Sequence, residues 1–402
     1  MNVIGITAEY NPFHTGHGFQ IRESRRLLGG ETAVAAVMSG NWIQQADCAI
    51  ADKWTRARLA LIGGADLVLE LPTVWATASA EAFCRGAVSI LNATGVVDHL
   101  SFGSECGSVE ALSEAVDALD SPEFPSALAG ILDRGLSFPA ARQEAVRQLG
   151  CSQSGLLSGA NNNLGVEYLR ALKLLGSSIT PMTVTRQGAG HNTVHELHDL
   201  PYLSATQIRQ ALRSGNAASV ANYLVPGSDA VLKADEVSSR RFIERAMLAR
   251  LRTMTADRWA LLPDSGAAEG LPQRLERAAM QSRSMEEFFT LAKTKRYTHA
   301  RLRRLALWAY LGITAEQIPE TPPYIRVLGF NDRGRALMKQ MKKTASLPII
   351  TKPAHARTLP PEARRLFELE ARCTDLYDLC LPDIPAPGRE WTTNPVMLGE
   401  DL

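Results

Sequence analysis

Residues 3–17 read VIGITAEYNPFHTGH, a short apolar run followed at once by a loop and the start of a helical pattern. Val3 to Ala8 has the composition of a buried strand, and Gly16 to Leu28 has helical spacing. Three further apolar runs alternate with helical patterns in the same way, at residues 32–38, 66–71 and 99–102. Strands that are apolar on both faces and separated by helices are typical of βαβ units. We therefore expect an α/β fold with a Rossmann-like, doubly wound parallel sheet.

The pattern changes after about residue 225. A strand at Ile179 to Thr185 and a helix at Ala205 to Ser214 close the first part, and Pro226-Gly227-Ser228 follows as a candidate hinge. Helical patterns dominate the rest, interrupted by an expected strand at Tyr324 to Phe330. We therefore expect two domains, an α/β domain at residues 1–225 and a mainly helical one at residues 226–402.

Composition excludes several classes of protein. The chain has 402 residues, of which 45% are hydrophobic and 21% are charged, as in ordinary globular proteins. It contains no run of about 18 apolar residues, and its start lacks the basic and apolar regions of a signal peptide. Its six cysteines form no C-x-x-C pair, which is typical of a reducing compartment. We expect a cytoplasmic protein with free thiols and no membrane segment.

The loop after the first strand carries two histidines, in the stretch EYNPFHTGH at residues 9–17. In a doubly wound sheet, such a strand-to-helix turn lies at the carboxyl edge of the sheet, where ligands bind. The helix N-terminus there offers free backbone N–H groups to phosphate. Gly16 permits close approach of the backbone, and the imidazoles of His14 and His17 can both donate to phosphate oxygens. The loop therefore predicts a phosphate-handling site, although it contains neither a Walker A nor a G-x-G-x-x-G motif.

The histidine loop resembles the H-x-G-H signature of the nucleotidylyltransferase superfamily, whose members transfer a nucleotide by in-line attack on the α-phosphorus of a nucleoside triphosphate. The resemblance implies that His14 and His17 stabilise charge on the α-phosphate and the leaving pyrophosphate. This superfamily usually carries a second, I-S-S-T-x-x-R-like loop, and LSATQIR at residues 203–209 has the same layout. Three residues of this loop are expected to grip the β- and γ-phosphates: Ser204, Thr206 and Arg209.

Over nearly its whole length the chain resembles the bacterial tRNA(Met) cytidine acetate ligase family. The resemblance rests on ordered blocks: EYNPFHTGH (9–17), AVMSGNWIQ (36–44), KWTRARLAL (53–61), DLVLELP (66–72), AFCRGAVSIL (82–91), FGSE (102–105), NNNLGVEYLRAL (161–172), TRQGAG (185–190), SATQIR (204–209), KTKRYTHARLRR (293–304) and TTNPVML (392–398). It implies a ligase that consumes ATP in two steps. Acetate attacks the α-phosphorus of ATP to give acetyl-adenylate, and the N4 amine of the wobble cytidine in elongator tRNA(Met) then takes the acetyl group and releases AMP.

The resemblance also implies which residues line the ATP site. From the first strand and the histidine loop these are Thr7, Ala8, Glu9, Asn11, Pro12, Phe13, His14, Gly16 and His17. The set is completed by Gly103 in the FGSE turn and by Asn161, Asn162 and Arg186. Mg²⁺ is expected to accompany ATP, although no carboxylate cluster dedicated to it is evident in the sequence. Three histidines at positions 191, 195 and 198 stand in a polar stretch without cysteine partners, so we assign no protein ligand to a metal.

One segment of the chain is strongly basic, although the net charge of the whole is +1. Residues 291–352 hold 13 Lys or Arg against 3 Asp or Glu. We expect seven residues at its start to bind tRNA: Lys293, Lys295, Arg296, Tyr297, Arg301, Arg303 and Arg304. On a helix, positions 297, 301, 304 and 308 share a face, which would offer aromatic rings and cations to unstacked bases and phosphates. Six further cations are expected to extend this surface: Arg326, Arg333, Arg335, Lys339, Lys342 and Lys343.

Two other functions remain open at this stage. A small-molecule nucleotidylyltransferase would use the same histidine loop, but it leaves the long basic C-terminal part without a role. A catalytically silent RNA-binding protein that retains an old nucleotide fold would keep the basic part, but it does not require the intact residues His14, Gly16, His17 and Arg209.

Overall fold

The computed structural model describes residues 2–136, 138–186, 203–233 and 236–399. Its strands are β1 Val3–Ala8, β2 Ala33–Ser39, β3 Trp42–Ile43, β4 Asp47–Cys48, β5 Leu67–Leu71, β6 His99–Ser104, β7 Thr180–Thr185, β8 Ile325–Phe330, β9 Ile349–Ile350 and β10 Val396–Met397. Its first helices are α1 Thr15–Leu28, α2 Lys53–Ile62, α3 Thr73–Ala76, α4 Ala80–Thr94, α5 Val109–Leu119, α6 Phe124–Leu132, α7 Phe138–Gln148, α8 Ala160–Leu174 and α9 Ala205–Arg213.

The later helices are α10 Ser228–Val231, α11 Glu244–Arg252, α12 Ala256–Ala260, α13 Leu271–Gln281, α14 Met285–Ala292, α15 His299–Leu311, α16 Asp332–Thr344, α17 Pro361–Asp378 and α18 Arg389–Thr392. Short 3₁₀ helices occupy residues 154–158, 217–223, 240–243, 267–269, 315–317 and 353–358. The six strands expected above are all present, and β9 corresponds to a seventh, short strand that the sequence predicts at residues 348–351. The hairpin β3–β4 and the strand β10, of two residues each, were not expected.

Eight strands of the described residues form one sheet, in the order β10-β8-β5-β2-β1-β6-β7, with β9 beside β8. The five strands from β5 to β7 in this order run parallel. The chain moves from β1 through β2 to β5, and then resumes on the other side of β1 with β6 and β7. The carboxyl ends of β1 and β6 therefore form the topological switch point, where such sheets bind ligands. The expected fold class is confirmed.

The central strands are buried on both faces, as their unbroken apolar runs predict. Every residue of β2 is buried. Val34, Ala36 and Met38 point into one core with α1 and α2, while alternate residues of the strand point into a second core with α4, α5 and α8. Packing on both faces holds the central strands in place, and with them the carboxyl edge of the sheet, on which the functional loops lie.

The region after residue 225 supplies both helices and strands. Helices α11 to α15 pack on one another around a core that contains Trp259, Leu275 and Phe288. Strand β8 then pairs antiparallel with β5, and β10 pairs with β8, so the sheet takes strands from both sides of residue 225. Helices α11 to α15 lie on one side of the division proposed at residue 225, but strands β8, β9 and β10 of the sheet lie on the same side. The division into two domains stays a prediction.

A buried ionic cluster joins the C-terminal part to the sheet. The ammonium of Lys53 lies 2.6 Å from carboxylate oxygens of both Glu70 and Glu390. The guanidinium of Arg326 lies 2.9 Å from the other oxygen of Glu390 and 3.4 Å from Glu70. All four side chains are almost completely buried. Removal of one partner would leave a buried charge unpaired, which is strongly destabilising.

The structure describes two features that bear on the expected cell compartment: the apolar length of the helices and the state of the cysteines. None of the helices in the described ranges is long and apolar enough to cross a membrane. The six cysteines are free thiols, and all except Cys106 are buried. Burial raises the pKa of the thiols of Cys84, Cys373 and Cys380, so these side chains are neutral packing groups.

Candidate active site

The two histidines of the loop after β1 are held in a defined tautomer. His14 is the N-cap of α1, and its Nδ1 accepts the backbone N–H of Gly16 at 3.1 Å. The backbone N–H of His14 in turn donates to Nδ1 of His17 at 3.2 Å. Because each Nδ1 accepts a hydrogen bond, each neutral ring carries its proton on Nε2. The stacked rings, with centroids 3.8 Å apart, therefore offer two neighbouring N–H donors at the switch point.

Both histidines are neutral near pH 7. Burial lowers the pKa of His14 to about 4, and the positive charges of Arg186 and Arg209 add to this effect. The pKa of His17 is also lowered well below its usual value, by burial first and then by His14 and Arg186. Positive charge at the site is therefore supplied by the arginines, while the imidazoles supply oriented donors.

The loop before α9 brings Arg209 to the histidine loop. Ser204 is the N-cap of α9, and its hydroxyl accepts the backbone N–H of Gln207 at 3.3 Å. The guanidinium of Arg209 donates to the carbonyl of Asn11 at 2.9 Å and to the hydroxyl of Thr206 at 3.0 Å. Thr206 and Arg209 therefore lie together beside the histidine loop. Ser204 orients the start of their helix.

On the other side, the FGSE turn after β6 clamps the start of α8. The carboxylate of Glu105 accepts the backbone and side-chain N–H groups of Asn161, at 3.1 and 2.7 Å, and the backbone N–H of Asn162 at 2.7 Å. The side-chain oxygen of Asn162 accepts the backbone N–H of Glu105 at 2.9 Å in return. Burial alone would raise the pKa of Glu105, but the hydrogen bonds from the two asparagines outweigh it and lower the pKa. The turn is thus held by a charged acceptor.

This clamp also positions Arg186. The side-chain oxygen of Asn161 accepts a hydrogen bond from the Arg186 guanidinium at 2.8 Å, and the backbone N–H of Arg186 donates to the carbonyl of Ser104 at 3.0 Å. A Cβ on Gly103 would lie 3.2 Å from Cγ of Arg186, so glycine at this position leaves room for the arginine. The structure therefore brings the expected residues after β6, in α8 and after β7 together.

Some residues expected to contact ATP have side chains that build the loop. Phe13 is fully buried, and its ring lies where a Cβ on Gly63 would be. Asn11 is 2% exposed, and its side-chain oxygen accepts the backbone N–H of Ile50 at 2.6 Å. Pro12 is buried as well, whereas Thr7, Ala8 and Glu9 are half-buried at the end of β1. Asn11, Pro12 and Phe13 can therefore reach a nucleotide only through their backbone.

Comparison with known proteins places this site in a family. The chain matches the HIGH nucleotidyl transferase family over residues 1–389. It is 37% identical to the tRNA(Met) cytidine acetate ligase of Acetivibrio thermocellus over 99% of this chain and 100% of that protein. It is 39% identical to that of Alkaliphilus metalliredigens over 95% of both chains. The chain belongs to the tRNA(Met) cytidine acetate ligase family.

Solved structures agree with this assignment. The chain is similar to the crystal structure of Thermotoga maritima TmcAL bound with alpha-thio ATP, with a TM-score of 0.90 and 32% identity. It matches the apo form of the same protein with a TM-score of 0.91. Each comparison covers 99% of this chain and 100% of the other. The likeness to this ligase family therefore extends to the C-terminal part.

Three supports of the ligase site were not singled out from the sequence. Arg56 is fully buried, and its guanidinium donates to the carbonyls of Glu9, Ser39 and Gly40. The hydroxyls of Thr7 and Tyr168 form a hydrogen bond that links β1 to α8. The backbone N–H of Gln44 donates to the Glu9 carboxylate at 3.0 Å. Arg56, Tyr168 and Gln44 all stand in the sequence blocks that carry the family resemblance, which was the available signal.

The basic segment of this ligase does not form the face expected from its spacing. Helix α15 begins at His299 with Thr298 as its N-cap, so Tyr297 precedes the helix. Tyr297 is 5% exposed, and its hydroxyl donates to the carbonyl of Glu269 at 2.9 Å. Trp308 is buried and donates to the hydroxyl of Thr77. The expectation of a common face with two accessible rings is therefore wrong.

The cations of this segment differ in their availability. Arg301 pairs with Asp264 and with Glu269, each at 3.1 Å, and Arg304 pairs with Asp264 at 2.9 Å. Lys293 is half-buried. The remaining cations, Lys295, Arg296 and Arg303, are exposed, and Arg296 lies 3.6 Å from Glu269. A role of the segment in tRNA binding stays a prediction, and it rests first on the exposed members.

The six cations expected to extend this surface lie elsewhere. Arg326 is 3% exposed and belongs to the buried ionic cluster. Asn331, directly before α16, donates to the carboxylate of Asp66 at the start of β5, so α16 begins at the amino edge of the parallel strands. The other five cations all belong to α16. The expected extension is wrong, because the antiparallel strand β8 carries the chain to the edge opposite the histidines.

The expectation about metal ligands can be compared with part of the chain. Among the described residues, no group of three or more His, Cys, Asp or Glu side chains is placed to hold a metal ion. His191, His195 and His198 lie outside the described residues, as does the stretch from residue 187 to residue 202 in which they stand.

Proposed function

We propose that this protein is an ATP-dependent ligase that forms N4-acetylcytidine at the wobble position of elongator tRNA(Met). The observation that carries the proposal is the pair of neutral histidines, with Nε2–H donors side by side at the switch point of the sheet and with Arg186 and Arg209 nearby. Relatives that match the whole chain bear the name of this activity, and one solved relative binds alpha-thio ATP.

In the first step, a carboxylate oxygen of acetate attacks the α-phosphorus of ATP, and the bond to the β-phosphate oxygen breaks. This produces acetyl-adenylate and pyrophosphate. Negative charge grows on the α-phosphate and on the leaving group, and oriented N–H donors and arginines stabilise such charge. His14 and His17 are assigned to the α-phosphate, and Arg186, Thr206 and Arg209 to the departing phosphates.

In the second step, the N4 amine of cytidine attacks the acetyl carbonyl carbon. A C–N bond forms, the C–O bond to AMP breaks, and N4 loses one proton. Acetyl-adenylate already contains a good leaving group, so the transfer requires no covalent intermediate on a serine or cysteine. The work of the protein in this step is to hold the cytidine against the activated acetyl group.

Mg²⁺ would enter this site with ATP. The described part of the chain has no cluster of carboxylates for a resident ion, and this fits an ion that is bound mainly by phosphate oxygens and water. Its charge would neutralise the phosphates. We also propose that the protein binds acetate and elongator tRNA(Met) and that it is cytoplasmic. The exposed cations Lys295, Arg296 and Arg303 are candidate contacts to tRNA phosphates.

The proposal is tested by incubating the purified protein with labelled acetate, ATP and total tRNA, followed by nucleoside analysis. We expect labelled N4-acetylcytidine from the wild type and none from His14→Ala. The matched control is His355→Ala, which removes an exposed histidine of residues 353–358 and should retain full activity.

Other outcomes of this experiment would favour the alternatives. Binding of ATP and tRNA without any labelled nucleoside would contradict the ligase and favour a silent RNA-binding protein. Acetate-independent release of pyrophosphate with a small phosphorylated metabolite would favour a small-molecule nucleotidylyltransferase. Equal loss of catalysis and tRNA binding in His14→Ala would mean that the histidine supports the fold.

A further inference from the structure

A second group of cations stands beside the catalytic edge, in a part of the chain that the sequence patterns did not single out. It consists of Arg240, Arg241 and Arg245 together with the aromatic residue Phe242, at the start of a helical run that extends from residue 240 to residue 252. We propose that this group, the 240–245 platform, binds the single-stranded anticodon loop next to the cytidine that is acetylated. The inference rests on the proposed function.

The platform is fastened to the histidine loop by a short chain of hydrogen bonds. The backbone N–H of Ser238 donates to the carbonyl of Ile50 at 2.9 Å, and the N–H of Ile50 donates to the side chain of Asn11 at 2.6 Å. The backbone carbonyl of Asn11 also accepts a hydrogen bond from the guanidinium of Arg209. Two residues beyond Ser238 the platform begins, so it is placed at the edge where the acetyl group is made.

Salt bridges also place the platform beside α9, whose first residues belong to the loop at residues 203–209 that is expected to grip the β- and γ-phosphates. The carboxylate of Asp47, in β4, lies 3.8 Å from Arg213 and 4.0 Å from Arg240. Arg213 is one helical turn after Arg209 on α9, and it also donates to the carbonyl of Ser238 at 3.1 Å. Asp47 thus ties α9 to Arg240, the first residue of the platform.

The aromatic ring of the platform faces solvent. Phe242 is 55% exposed, whereas its neighbour Ile243 is buried in the helical core. Positions 242 and 245 are neighbours on a helix surface, as are 241 and 245, so the ring stands on the side of the helix that also carries Arg245 and Arg241. An exposed ring with cations on the same helix surface is suited to an unstacked base and its phosphates.

The cations of the platform are available to a ligand. Among the described residues, the side chains of Arg241 and Arg245 make no hydrogen bond or ion pair, and both are exposed. The acidic residue between the ring and Arg245 is Glu244, and its carboxylate accepts the backbone N–H of Met285 at 3.0 Å. Arg301 and Arg304 differ, because Asp264 and Glu269 already neutralise them. The platform is therefore a better candidate than Arg301 and Arg304 for contact with an RNA loop at the active site.

The test measures the affinity of the full-length protein for an anticodon stem-loop RNA with cytidine at its wobble position. We expect Phe242→Ala to weaken binding about tenfold, since loss of one stacked base costs about that much. Phe242→Trp should retain affinity, and Phe242→Leu should not. The matched control Leu27→Ala removes an exposed apolar side chain near the end of α1 and should change nothing.

A charge series completes the test. Arg241→Ala combined with Arg245→Ala should weaken binding. The plot of log affinity against log salt should also become less steep, with the magnitude of its slope smaller by about 1.5, because two phosphate contacts are lost. Lys339→Ala combined with Lys342→Ala, on α16 at the opposite edge, should leave both quantities unchanged. Acetyl-adenylate formation without RNA should be the same in all of these variants.

Unchanged affinity in Phe242→Ala and an unchanged salt slope in the double arginine variant would overturn the inference. Equal weakening by the α16 variant would also overturn it, because binding would then follow overall charge. Failure of the proposed function would look different: the stem-loop would bind and respond to these variants, but the wild type would not acetylate it.

Discussion

The backbone N–H of His14 donates to Nδ1 of His17 across 3.2 Å. This contact, together with the hydrogen bond from Gly16 to Nδ1 of His14, fixes both imidazole tautomers by the backbone of a single loop. The two Nε2–H donors are therefore oriented before any nucleotide arrives. Donors that need no reorganisation during the reaction are the most effective at stabilising a developing phosphate charge.

The first prediction concerns the pH dependence of acetyl-adenylate formation. Because burial lowers the pKa of His14 to about 4, the neutral donor persists well below neutral pH. We expect acetate-dependent exchange of pyrophosphate into ATP to stay constant from pH 8 to about pH 5.5, at a constant concentration of ionised acetate, and to decline toward pH 4. A decline centred near pH 6.5 would show that the histidine has an ordinary pKa and is exposed to solvent.

The second prediction concerns the contact between Asn161 and Arg186. If the asparagine positions the arginine for the phosphates, Asn161→Ala and Arg186→Ala should each raise the KM for ATP about tenfold, and the double variant should raise it little further. The expected coupling is about 1 kcal/mol, as for other residues in contact. Fully additive effects in this cycle would contradict the positioning role. Asn92→Ala, which loses a hydrogen bond to Ser177 remote from the site, is the matched control.

Much of the fold could be predicted because its determinants are local. The strands of the sheet are apolar on both faces, and His14 and His17 are close in sequence, so their roles follow from one short loop. The contacts that position Arg186 are different, since Asn161 lies 25 residues before it in the chain. Only the pairing of β6 with β7 and the packing of α8 bring these residues together.

The distribution of positive charge could not be predicted for the same reason. The partners of Arg301 are Asp264 and Glu269, which are 37 and 32 residues away. The number of cations in a segment does not show which of them are neutralised by carboxylates from distant parts of the chain. Strand β8 likewise reverses direction relative to β5, and it carries the basic helix α16 to the edge far from the histidines.

The third prediction concerns Tyr168, whose hydroxyl bonds to that of Thr7 at the end of β1. Tyr168→Phe should lower the rate of acetyl-adenylate formation about fivefold and leave tRNA affinity unchanged, because one positioning hydrogen bond is worth about 1 kcal/mol. Tyr310→Phe removes another buried tyrosine hydroxyl, which donates to the carbonyl of Leu376, and serves as the matched control. Equal effects of the two variants on the rate would mean that Tyr168 contributes only to stability.

The fourth prediction concerns Glu370, which accepts the backbone N–H and the hydroxyl of Thr73 at 2.7 and 2.8 Å. Burial, together with the negative charge of Glu70, raises its pKa to about 8 from an ordinary value of 4.5. Between these two pH values the folded protein binds the extra proton, so this group makes the fold less stable as pH rises from 4.5 to 8.

Glu370→Gln cannot ionise and should remove this part of the pH dependence. We expect the free energy of unfolding of the variant, measured by urea titration, to fall less between pH 5 and pH 8 than that of the wild type. Glu368→Gln, at an exposed position on the same helix, should follow the wild type. Parallel curves for wild type and Glu370→Gln would contradict the raised pKa.

The central claim is that acetate is activated on the α-phosphorus and then transferred to N4 of cytidine. It is tested most directly with acetate that carries oxygen-18 in both positions, ATP and tRNA, and by mass analysis of the products. The oxygen that attacks phosphorus stays with AMP when the C–O bond breaks, so we expect one oxygen-18 in AMP and one in the N4-acetyl group. N4-acetylcytidine formed together with unlabelled AMP would contradict the mechanism.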